Sequence, residues 1–89
     1  MAKKDWTLIL KDEAGTMYRI MRGDYQVDLI AFGNWREYCA LRFYKYNKQR
    51  HGYDRVTTTG ADWYENPEDA PTFPTCAQAE KFALAWLNK

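Results

Sequence analysis

Few side chains in this sequence could carry covalent or proton-transfer chemistry. His51 is the single histidine. It sits in Lys48-Gln49-Arg50-His51-Gly52, a basic turn-like stretch, where a solvated imidazole is expected rather than a base held against a substrate. Cys39 and Cys76 lie far apart in the chain. Without a Cys-x-x-Cys pair and with one histidine, four zinc ligands cannot be assembled at the usual spacings. Cys-His nucleophilic chemistry would need His51 to approach one of the thiols. Cys76 is the better candidate because it opens a helix, where a thiol pKa falls, whereas Cys39 is expected to face inward. Both are read as reduced, partly buried thiols, with a disulfide as the alternative. The acid pairs Asp12-Glu13 and Glu68-Asp69 fall in turn-like segments. Asp24 and Asp28 bracket the start of a strand, but no motif joins them to the further acids that a metal-dependent nuclease needs. The glycines Gly15, Gly23, Gly33, Gly52 and Gly60 stand singly, so no phosphate-cradling loop is present. No catalytic residue, metal ligand or cofactor is assigned, and the reading is of a protein that is not an enzyme.

The charge pattern is more informative. From Tyr38 to Tyr53 there is no acid, while Arg42, Lys45, Lys48 and Arg50 alternate with Tyr38, Phe43, Tyr44, Tyr46 and Tyr53. From Ala61 to Asp69 the reverse holds: Asp62, Glu65, Glu68 and Asp69 occur with no base. The bland reading is that the two segments neutralise each other on the folded surface. Two functional readings compete with it. Tyrosines interleaved with cations can stack and neutralise a single-stranded nucleic acid. Tyr, Trp and Arg also dominate protein–protein hot spots, and an acidic loop could match a basic partner. The candidate contact set is Tyr38, Arg42, Tyr44, Tyr46, Lys48 and Arg50.

These residues need a scaffold that aims them together. Trp6, Leu8 and Leu10 alternate as one face of a strand. A turn at Asp12-Glu13-Ala14-Gly15 leads into a second strand, Met17 to Arg22, with Tyr18 and Ile20 on one face and Arg19 on the other. After Gly23-Asp24, residues 26–32 form a third strand, with Val27, Leu29 and Ala31 facing one way and Gln26 and Asp28 the other, broken at Gly33-Asn34. Residues 35–50 have two readings. As a strand, Cys39, Leu41 and Phe43 face the core, and Tyr38, Arg42, Tyr44 and Tyr46 face out. As a helix, Asn34 and Glu37 offer a capping box and Gly52 a stop, but Arg42 would fall amid the Trp35, Cys39 and Tyr46 face. The aromatic content favours the strand. Residues 53–59 should pair back onto it across a loop near Asn47–Gly52. Pro67, Pro71 and Pro74 make residues 65–74 an extended loop. Thr75 is an N-cap with Gln78 closing a capping box. Ala79, Phe82, Ala83, Trp86 and Leu87 then form one apolar helical stripe, with Gln78, Glu80, Lys81 and Asn88 toward water.

The expected fold is therefore α+β: one domain over residues 1–89, an antiparallel sheet of four to five strands, and one C-terminal amphipathic helix packed on one face. The 89 residues, 46% apolar and 28% charged with a net charge of +1, suit a small globular core and not a polycation that binds by bulk charge. No run approaches the roughly 18 apolar residues of a membrane span. Met1-Ala2-Lys3-Lys4-Asp5 lacks the apolar region of a signal peptide, so a cytoplasmic location and no membrane partner are expected.

Short strands, a Pro-containing bridge and then Thr75-Cys76-Ala77-Gln78-Ala79-Glu80-Lys81-Phe82-Ala83-Leu84-Ala85-Trp86-Leu87 resemble in layout small phage and mobile-element proteins of the anti-CRISPR type. In these a tyrosine-bearing sheet face docks onto a host effector complex. That resemblance implies a host protein or nucleoprotein complex as partner, in the host cytoplasm, with Tyr38, Tyr44 and Tyr46 as contacts, the protein being a monomer or homodimer. The order of elements after Gly23 is also similar to the single-stranded-DNA-binding coactivator fold, from which the N-terminal hairpin and the acids of the last loop depart. The leading expectation is an inhibitor that occludes a host defence complex. The alternative is a single-stranded nucleic-acid-binding protein using the same face.

Overall fold

The computed structural model describes residues 6–32 and 38–88 and, of Tyr38, the backbone alone. The expected break at Gly33-Asn34, the Trp35 end of the middle segment, the N-terminal Met1–Asp5 and the side chain of Tyr38 lie outside the described residues. Among the described residues six strands and one helix follow in order: β1 (Thr7–Lys11), β2 (Gly15–Arg22), β3 (Tyr25–Phe32), β4 (Tyr38–Asn47), β5 (Gly52–Val56), β6 (Thr72–Phe73) and α1 (Cys76–Leu87). The first five form an antiparallel meander, β1-β2-β3-β4-β5, and the two-residue β6 pairs with β4. Each neighbour in the meander is next in sequence, the usual arrangement for consecutive strands.

Alternation decides the two faces. Tyr18, Leu29 and Leu41 line up across β2, β3 and β4, as do Ile20, Val27 and Phe43. With Ala31, Cys39 and Val56 they make the sheet's contribution to the core. Of the middle segment, Tyr38–Asn47 is strand, with Cys39, Leu41 and Phe43 buried as the alternation predicts.

The helix supplies the other half of the core. The Thr75 hydroxyl accepts the Gln78 N–H at 3.2 Å, which satisfies one of the orphan donors of the first turn. Ala79, Ala83 and Trp86 are buried along one stripe, with Leu84 and Leu87 beside them. Small alanines let the helix approach the sheet closely, and Trp86 fills the remaining width. Its ring lies 4.7 Å from that of Phe43 and 5.4 Å from that of Tyr25, and its N–H donates to the Thr58 carbonyl at 2.9 Å. Phe82 is 40% exposed yet bridges the rings of Phe43 and Phe73. Glu80, expected toward water, is buried instead.

Three further expectations are corrected. Cys39 and Cys76 are joined as a disulfide, with their Cα atoms 5.6 Å apart, and are not free thiols. The inward face of β4 meets the first turn of α1 there, a proximity that their sequence spacing does not disclose. Leu8 and Leu10 do not share the core face with Trp6. The β1–β2 register shifts between Leu8 and Leu10, setting Leu8 opposite Tyr18 and Leu10 opposite Met17, so the two leucines fall on different faces. The whole of β1 is exposed, whereas Trp6 just before it is buried. Last, β5 ends at Val56. Thr57 folds the chain back instead of prolonging the strand: its N–H donates to the Ala61 carbonyl, and its hydroxyl accepts the Ala61 N–H.

Candidate binding face

The helix lies on one side of the sheet, against β3, β4 and β6. The other side carries no second layer among the described residues. Reading across it from β1 to β5 gives three rows of side chains set by register. One row is Leu10, Met17, Ile30 and Ala40. The next is Thr7, Arg19, Asp28 and Arg42. The third is Met21, Gln26, Tyr44 and Arg55. Beyond them Tyr46 meets Tyr53, their rings 5.4 Å apart and steeply inclined.

The centre of this face is a polar cluster in an apolar and aromatic surround. Arg19 Nε donates to Asp28 Oδ1 at 2.9 Å and its Nη2 to Oδ2 at 3.2 Å. Gln26 Nε2 adds a third bond to Oδ1 at 3.2 Å. Gln26 and Asp28 are consequently buried although they point away from the core. The Arg19 guanidinium is held above its usual pKa, chiefly by the hydrogen bond to Asp28, against some lowering by burial, with Tyr44 contributing attraction. Three donors on the Asp28 carboxylate offset part of the cost of withdrawing it from water.

The residues singled out in the sequence divide into two groups. Arg42, Tyr44 and Tyr46 share the open face and are half-buried there. Lys48 and Arg50 do not join them: both lie in the β4–β5 turn. Arg50 Nη1 sits 3.0 Å from Asp54 Oδ1 as an ion pair without hydrogen-bond alignment, and Asn47 ties the turn through the Gln49 and Arg50 amides. Lys45 belongs to the opposite side, with its ammonium 5.9 Å from the centre of the Tyr25 ring.

The acidic Pro-containing loop returns beside the basic hairpin. Trp63 stacks on Arg55, the guanidinium carbon 4.3 Å from the ring centre, and its N–H donates to the Glu68 carbonyl at 3.0 Å. The Glu68 carboxylate accepts the Thr58 N–H at 2.6 Å. Pro71 and Thr72 then hydrogen-bond and pair with β4. The loop's acids therefore serve partly to fasten it, and one cation of the face is capped by its tryptophan.

Sequence reasoning missed the apolar edge of this face. Leu10 and Met21 are among the exposed large hydrophobic residues, and Met17 is half-buried beside them. The signal was present in Leu8-Ile9-Leu10, since three consecutive large apolar residues in a strand cannot all face one core. A groove of about 600 Å³ at the hairpin end is lined by Asp24, Lys45, Asn47, Asp54 and Asp62 among others, charges of both signs that select no one ligand. Among the described residues no group of three or more His, Cys, Asp or Glu gathers to hold a metal ion, and no helix is long and apolar enough to cross a membrane.

Comparison with protein-family models, with curated proteins and with solved structures finds no match to this chain.

Proposed function

We propose that this protein acts without catalysis, by laying the open face of its sheet on a partner protein. The observation that carries this reading is the composition of that face. Leu10, Met17, Met21 and Ile30 adjoin Arg42, Tyr44 and Tyr46 on the one face of the sheet turned away from the helix. Arg, Tyr and Met are enriched at interfaces, and Tyr and Arg are prominent among hot spots. A nucleic-acid face would be expected to run cations along a backbone track without methionines between them. Here the arginine row is interrupted by Asp28, and the flanking loop is acidic. A resemblance in layout to small anti-CRISPR-type proteins is what suggests a partner among host defence proteins or their nucleoprotein complexes, and occlusion as the action. A host-cytoplasmic location belongs to the same reading. It requires that the Cys39–Cys76 bond either persist in a reducing compartment, where disulfides are rare, or open without loss of the fold.

The test is quantitative capture on the immobilised protein from host lysate, with and without nuclease, at low and high salt. A protein retained specifically, unaffected by nuclease and only weakly by salt, and lost when Arg42, Tyr44 and Tyr46 are replaced, is expected. Retention that vanishes with nuclease, or direct oligonucleotide binding that falls steeply with salt, would favour the single-strand reading.

A further inference from the structure

Among the described residues the open face carries three guanidinium groups, Arg19, Arg42 and Arg55, and one carboxylate, Asp28. The three cations are not equivalent. Arg19 is occupied by Asp28 through two hydrogen bonds, at 2.9 and 3.2 Å. Arg55 is occupied by the Trp63 ring at 4.3 Å. Arg42 stands opposite Asp28 in the β3–β4 register, but both Asp28 oxygens are already engaged by Arg19 and one also by Gln26. Among the described residues no hydrogen bond, ion pair or ring contact engages the Arg42 side chain. The loop carboxylate of Glu68, which lines the same small cavity as Arg42, turns its Oε1 to the Thr58 amide. Yet Arg42 is half-buried. A guanidinium withdrawn from water is best offset by a planar oxyanion that accepts its forked donors.

Apolar side chains flank it. Ile30 and Met17 lie one row away on the same face, and Tyr44 follows Arg42 two residues along β4. We propose that Arg42 is the anchoring cation of the open face, and that the partner protein presents to it an acidic segment: one Asp or Glu carboxylate on Arg42, with an apolar neighbour laid over Met17 and Ile30. This narrows the reading under Proposed function and rests on it. A phosphate chain is the less suitable occupant, because among the described residues Arg42 is the single guanidinium of the face left unengaged and a strand presents evenly spaced anions.

The experiment is selection of random displayed peptides on the intact wild-type protein, followed by anisotropy measurements on the enriched peptides. The expected result is enrichment of peptides pairing Asp or Glu with an apolar residue. Arg42→Gln should weaken them by about tenfold or more, and Arg42→Lys by less, since it keeps the charge and loses the fork. Exchanging the peptide's acid for its amide should cause a similar loss, with little further loss on the Arg42→Gln protein. Thermal melting of both variants within a few degrees of wild type secures the comparison. Peptides without an acid that bind Arg42→Gln as well as wild type overturn the carboxylate assignment. If those peptides are weakened by Met17→Ala or Tyr44→Ala, the open-face reading survives; if not, it falls as well. Failure to enrich any peptide overturns the proposal of a linear acidic segment. Oligothymidylate binding that is lost in Arg42→Gln overturns both readings in favour of nucleic acid.

Discussion

Arg19 and Asp28 face each other across β2 and β3 on the side of the sheet that the helix leaves open, Nε to Oδ1 at 2.9 Å, with the carboxylate side chain 4% exposed and the guanidinium side chain 34% exposed. The pair fixes the centre of the face. The guanidinium pKa is raised, so the stabilisation it reflects is fully present below the ordinary arginine value and is lost only as pH rises through the folded one. No pH step near neutrality should therefore arise from Arg19. Asp28→Asn keeps the shape and removes the charge. It is expected to lower stability by about 1–2 kcal/mol in urea unfolding, after allowing for the exposure of Arg19. Arg19→Gln should cost at least as much, because it strands a buried carboxylate.

The Cys39–Cys76 bond closes a long loop and ties the start of α1 to the inner side of β4. Intact-mass measurement of the unreduced protein should show two hydrogens fewer than the reduced form. On the chain-entropy model, a Cys39→Ser, Cys76→Ser variant should lose up to about 4 kcal/mol. The Thr75 cap, β6 and the Trp86 contacts do not depend on the bond, so helical circular dichroism should persist in the variant at low temperature.

Tyr44 and Tyr46 are half-buried on the open face, whereas Trp86 is buried against Phe43. A Tyr44→Ala, Tyr46→Ala variant is expected to remain folded, losing on the order of 1–2 kcal/mol in total, mostly from the Tyr46–Tyr53 contact. Trp86→Ala should cost about 3–5 kcal/mol. Equal losses in the two variants, read from denaturant midpoints, would mean that the tyrosines are core residues.

Gly15 begins β2 opposite Phe32, and a Cβ there would run into the carbonyl oxygen of Ala31 on β3. Backbone cannot yield as a side-chain tip can. Gly15→Ala should lower the unfolding free energy by about 1–3 kcal/mol. Gly52→Ala, where a Cβ would have open space, serves as the control and should differ little from wild type.

Much of this architecture is written in local pattern. Thr75 with Gln78, and the spacing of Ala79, Ala83 and Trp86, place the helix. The alternation through Val27, Leu29, Ala31, Cys39, Leu41 and Phe43 sets the inner face of the two central strands. Where the sequence misled, a contact between distant segments decided the outcome. The register shift at Ile9 depends on how β1 meets β2, and it sends Leu8 and Leu10 to different faces. The disulfide depends on where α1 crosses β4. The candidate face was half legible. The outward run Arg42, Tyr44 and Tyr46 follows from period two, but its apolar continuation through Met17 and Ile30 exists only once three strands are in register. Lys48 and Arg50 continue the same charge run in sequence, yet they lie in the β4–β5 turn and not in the strand.

Site-specific photo-crosslinking addresses the open face most directly. A benzoylphenylalanine replaces Tyr44 on that face in one sample and Lys81, exposed on α1, in another. Each is irradiated in host lysate with and without excess unlabelled protein. The account predicts a discrete protein adduct from position 44 that survives nuclease, is competed by wild type but not by Arg42→Gln, and is missing from position 81. An adduct from position 81 and none from 44, or a position-44 adduct that nuclease destroys, would contradict it.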